Sequence, residues 1–176
     1  MRRDEVFKAL HQRLAPSSYY ALDADLILVE KIPPATVYVV AHLEFKMGAE
    51  SITFTQAVYF NQLVSAPMPW RVPVYIIRAR EPYDMPLANA TRLSYDYCQH
   101  ARETHRFDLV EYLYADWKPE PPRVGVATIA EDIGWRELVE WERELRQARR
   151  AQLAPYIDAG WQTRHETTQL QMVRVG

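Results

Sequence analysis

At 176 residues, 48% apolar and 25% charged, the chain can bury the core of one domain, which excludes global disorder. No run approaches the roughly 18 apolar residues of a membrane span, Met1-Arg2-Arg3-Asp4-Glu5 opens no signal-peptide pattern, and a lone Cys98 excludes an internal disulfide framework. Twenty-one basic residues against 23 acidic ones, a net charge of −2, exclude the whole chain as an electrostatic glue for nucleic acid or anionic membrane.

Val6, Phe7, Leu10 and Leu14 recur at helical spacing before Pro16, which predicts a short amphipathic helix over 3–15. Residues 19–30 alternate and then become continuously apolar, as a strand entering a buried sheet does. Lys31-Ile32-Pro33-Pro34 reads as a turn, because two prolines donate nothing to a ladder. Residues 36–46, rich in β-branched and aromatic side chains, form the next predicted strand, which Gly48 ends. Ala57, Phe60, Leu63 and Val64 then lie on one stripe of a helix over 51–65.

A third strand is expected over 72–77, a weakly patterned helix over 87–105 and a fourth strand over 107–114. Pro119-Glu120-Pro121-Pro122 makes a rigid, extended connector. The last element is a helix over 131–153, with Arg136/Glu140 and Glu142/Arg146 pairs at i,i+4 expected on its solvated face. Together these predict an α/β fold: a central mixed β-sheet flanked by helices. A single domain spans 1–160 and a polar tail 161–176. The composition points to a soluble, cytoplasmic protein with no membrane partner.

The candidate chemistry sits at the end of the second predicted strand, Leu43-Glu44-Phe45-Lys46. Strand alternation puts Glu44 and Lys46 on one face about 6–7 Å apart, with Val37, Val39, Ala41, Leu43 and Phe45 on the other. The same parity puts Asp23 and Asp25 on one face of the first strand, opposite Leu22, Ala24, Leu26 and Leu28. Two adjacent strands would then gather carboxylates and a lysine at one end of the sheet. Carboxylate oxygens suit magnesium, which keeps several waters and takes one or two protein carboxylates plus substrate phosphate. A lysine beside them can orient an attacking water or offset charge on the phosphorane.

These residues resemble the PD-(D/E)XK nuclease superfamily, over roughly residues 3–80. The resemblance implies a restriction-endonuclease-like core, here with an added C-terminal helix. It implies magnesium (or manganese) held by Asp25 or Asp23, Glu44 and the Phe45 carbonyl, with Lys46 serving the attacking water. It matches Glu5 to an acid on the first helix, and Gln56 with Tyr59 or Phe60 to a Gln-aromatic pair on the helix after the lysine strand. Of the two aspartates Asp25 is preferred, because it directly precedes the buried run 26–29. The implied activity is phosphodiester hydrolysis, in DNA because most members of the resembled group act on it, although the residues themselves do not distinguish DNA from RNA. A domain this small often acts as a homodimer or in a larger complex, for which the C-terminal helix is the expected interface. The alternative is a catalytically silent module of the same fold that binds nucleic acid or protein.

The sequence departs from the family in two places: Leu22 or Ala24, not Pro, precedes each aspartate, and two long strands stand where the core has three, which requires that 19–30 bend into two pieces or that the sheet be reduced. An acid two residues before a lysine is expected about 0.5 times by chance. The competing match, Asp116-Trp117-Lys118, leads into the proline-rich connector instead of a helix. His42 shares the face of Glu44, with an ordinary packing role as the first expectation. Cys98, His100 and His105 lack the spacing of a zinc site. Arg71, Arg78, Arg80, Arg92, Arg102 and Arg106 are candidate phosphate contacts or a solvated surface.

Overall fold

The computed structural model describes residues 20–22, 26–32, 36–80, 95–118 and 123–158. Among these residues six strands run in chain order across one sheet: β1 (Tyr20–Leu22), β2 (Ile27–Ile32), β3 (Thr36–Met47), β4 (Val74–Ala79), β5 (Phe107–Asp116) and β6 (Arg123–Ile133). Only β3 and β4 are parallel, and α1 (Phe54–Ser65) lies between them in the chain. The remaining helices are α2 (Tyr95–Thr104) and α3 (Trp135–Asp158). The expected α/β class with a mixed sheet is what forms. The expected helix over 3–15, the proline-rich connector and the tail fall outside the described residues.

Four expectations need correction. The stretch 19–30 is not one strand: β1 and β2 pair antiparallel with Leu22 opposite Ile27, so the chain reverses between them. Leu26 lies just before β2 with φ 52, a left-handed conformation that disfavours further strand in a residue with a Cβ. Its side chain is nonetheless buried in the core, which offsets that cost. Lys31 and Ile32 belong to β2, not to a turn. Among the described residues three strands therefore precede α1, not two.

The second correction concerns faces. Leu28 pairs with Ala41 but Val29 with Val39, so Val40 is an extra residue, a β-bulge. It shifts the parity of β3. Tyr38 and Val40 join Ala41, Leu43 and Met47 in one buried cluster, while Val37 is 55% exposed. The single apolar face expected over Val37–Phe45 is thus split at the bulge, yet Glu44 and Lys46 keep their shared face. Arg146 of α3 donates to the Val29 carbonyl at the bulge, at 2.8 Å.

The third correction is β6. The sequence pattern predicts no element over 123–130 and a last helix from 131. The strand instead runs to Ile133 and α3 starts at Trp135. β6 is exposed along most of its length, so burial leaves no alternation in its sequence to read.

The sheet has two covered faces. On one, α1 packs Ala57 and Phe60 against Val74, Ile76 and Tyr112. Asn61 of α1 reaches β5, donating to the Ala115 carbonyl and accepting from the Ala115 N–H, each at 2.9 Å. On the other face, Trp135, Leu138 and Leu153 of α3 close over Leu43, Ile77 and Leu109. Here lies the fourth correction. The Glu142/Arg146 pair is not on the solvated face of α3; both residues are buried, joined at 2.7 Å. Arg143, not Arg136, pairs with Glu140.

Candidate active site

Glu44 and Lys46 project from the C-terminal end of β3 toward α1, one on either side of Phe45 in the chain, and both are buried. Lys46 Nζ lies 2.9 Å from Glu44 Oε1. Gln56, in the first turn of α1, bridges them: its Nε2 donates to Glu44 Oε1 at 2.6 Å and its Oε1 accepts from Lys46 Nζ at 3.0 Å. Gln56 is fixed in turn by the helix start. The Thr53 side chain accepts from the Gln56 N–H, and the Gln56 side chain accepts from the Thr53 N–H, a reciprocal capping box that ties the rotamer to the backbone. The Thr53-x-x-Gln56 spacing is the sequence signal for this role.

His42 stands beside the pair, its Nε2 3.9 Å from Glu44 Oε2. The ring is buried between Tyr59 and Phe60 of α1, in edge contact with each. Neither ring nitrogen has a hydrogen-bond partner, an unusual state for a buried polar group. Burial works against the ionised Glu44 carboxylate, but the neighbouring His42 and Lys46 outweigh it and hold its pKa below the usual value.

Backbone direction adds a further group. The His42 and Gly48 N–H groups donate to Pro73 and Ala79 at the β4 side, at 2.9 Å each, whereas the Leu43 N–H donates to Leu26 at 3.2 Å on the β2 side. By alternation the Phe45 carbonyl points to the β2 side. The last β2 partner on that edge is Ile27, opposite His42, so β3 outruns β2 at this point.

Set against protein-family models, curated proteins and solved structures, the chain gives no match.

The structure therefore brings together Glu44, Phe45, Lys46 and Gln56. Asp23, Asp25 and Glu5 lie outside the described residues. Among the described residues no three His, Cys, Asp or Glu side chains group closely enough to hold a metal ion. The competing Asp116 and Lys118 are exposed at the end of β5, and Asp116 caps the Lys118 N–H at 3.0 Å. Asp108 is committed to Arg80, at 2.6 Å. Of the arginines expected at phosphate, Arg78 donates to the Gly48 and Glu50 carbonyls and so braces the turn after β3.

Proposed function

We propose that this chain is a metal-dependent nuclease of PD-(D/E)XK type, hydrolysing phosphodiester bonds in DNA. The observation that carries the reading is the buried Glu44–Lys46–Gln56 cluster at the end of a strand that outruns its neighbour. Three further features support it. A β1–β2–β3 meander followed by a helix and a parallel strand supplies the third strand the resemblance calls for. Asp25 is covalently joined to Leu26, whose carbonyl accepts from Leu43, the residue before Glu44. Leu26 itself holds a left-handed backbone conformation, and such outliers cluster at functional sites.

The donor set suits a hard divalent cation: Glu44, the Phe45 carbonyl and Asp25 would hold magnesium or manganese. Bound there, such an ion polarises phosphate and acidifies water. The protein's own residues do the rest. Gln56 fixes the Glu44 carboxylate and orients the Lys46 ammonium, which can donate to an attacking water or to a non-bridging phosphate oxygen. The orphaned His42 nitrogens beside Glu44 Oε2 offer a hydrogen bond to water or phosphate reaching the carboxylate.

The mutual hydrogen bonding of the cluster favours one other reading, a silent binding module in which these charges only brace β3 against α1. Metal separates the two. Plasmid, linear duplex and single-stranded DNA would be incubated with magnesium or manganese against EDTA, using wild type, Glu44→Gln and Lys46→Ala. Metal-dependent cutting, lost by at least a hundredfold in both folded variants, is the expected result. Folded wild type that neither cuts nor binds manganese would leave the scaffold.

A further inference from the structure

On the face of the sheet opposite Glu44, a cavity of about 410 Å³ opens between α3, β4 and β5. Its lining includes Arg71, Tyr75, Glu111, Arg149 and Gln152. Arg149 is only 4% exposed. Its hydrogen-bond partners are all neutral: Gln152 Oε1 at 2.7 Å, Met68 Sδ at 3.8 Å and the Arg71 carbonyl. Its Nε has no partner.

A buried guanidinium without a carboxylate is unusual, because desolvating a charge is repaid only by an opposite charge. One turn earlier on α3, Arg146 shows the usual solution, its Nε and Nη2 both donating to Glu142 Oε1 at 3.1 and 2.7 Å. Arg149 has no counterpart of that kind. A second cation, Arg71, lines the same cavity. Burial lowers the Arg149 pKa and Arg71 pushes the same way, while Tyr38 and Tyr75 oppose them. Among the described residues Glu111 is the one acid in the lining, and it disfavours a second anionic group while accepting from a donor.

We propose that this cavity binds a small phosphate monoester, its dianion between Arg149 and Arg71 and a hydroxyl or amino group toward Glu111. Two guanidiniums suit a dianion, since Arg forks match phosphate oxygens. The volume falls within the range of small-molecule sites and fits a sugar phosphate or nucleoside monophosphate. The cavity and the Glu44 cluster lie on opposite faces, so the proposal is independent of nuclease activity.

The test is calorimetry and thermal unfolding of the full chain in a phosphate-free buffer, with inorganic phosphate, ribose 5-phosphate and adenosine monophosphate as separate probes. Unphosphorylated ribose and adenosine serve as controls. The expected result is saturable binding of at least one phosphomonoester, with a raised Tm and no binding of its control. Inorganic phosphate alone should bind more weakly. Arg149→Met should weaken that binding at least tenfold, yet keep or raise the Tm of the unliganded protein, because the unpaired charge is gone. Should Arg149→Met fail to fold, the exposed Arg71→Gln carries the test, with a fivefold or larger loss expected. No binding by wild type at 10 mM of any probe, or unchanged affinity in both variants, would overturn the proposal.

Discussion

The two faces of the sheet bury charge in opposite ways. Toward α1, Glu44 and Lys46 neutralise each other and Gln56 hydrogen-bonds to both. Toward α3, Glu142 neutralises Arg146, but Arg149 has only neutral partners. The same physics rules both faces, since a buried ion costs several kcal/mol unless paired. A matched cluster is therefore a rigid device with its geometry already set. An unmatched one is a site waiting for its counter-charge.

The largest effect should come from splitting the matched pair. Lys46→Met leaves the Glu44 carboxylate buried without its cation, and urea unfolding should show a loss of about 3–5 kcal/mol. Replacing both, as Glu44→Leu with Lys46→Met, should cost clearly less than the sum of the single changes. A coupling of about 2–3 kcal/mol in the double-mutant cycle is expected. Additive losses would mean that the pair is not the source of the rigidity.

Next in size is the same experiment on the other face. Glu142→Gln keeps shape and hydrogen-bonding capacity but removes the charge opposite Arg146, which still donates to the Val29 carbonyl. A loss of about 2–3 kcal/mol is expected by urea unfolding. Arg149→Met, three residues beyond Arg146, should stay within about 1 kcal/mol of wild type or gain stability. Equal losses at 142 and 149 would erase the distinction between a paired and an unpaired guanidinium.

This contrast also explains what was legible in the sequence. The Glu44/Lys46 face was readable because strand alternation is local, and it survived even though the bulge at Val40 moved Val37 and Val39 away from the face expected for them. A bulge is set by pairing with β2, which no window along β3 reveals. Where β2 begins was not legible for a similar reason: Leu26 is an apolar residue in an apolar run, and its left-handed backbone carries no compositional mark. On α3, Glu142 and Arg146 occupy the stripe that also carries Trp135, Leu138 and Leu153. Charge made them read as solvated. Their spacing, three to four residues from buried neighbours, was the better guide.

The smallest effect separates the faces by pH. His105, just past α2, has its pKa lowered to about 4, first by burial and then by the nearby His100. Its neutral form is the one folding favours, so the contribution is complete above the unfolded value of 6.5 and is lost as pH falls from there toward 4. The group is partly solvated, so the loss should be on the order of 1 kcal/mol. Glu44 also has a lowered pKa, so its contribution is complete above 4.5 and is lost only on further acidification, as pH falls through its folded value. Unfolding followed from pH 7 to 3 should then show two stages. His105→Gln should flatten the first and leave the second, whereas Glu44→Gln should do the reverse. A single stage insensitive to His105→Gln would place the acid response elsewhere in the chain.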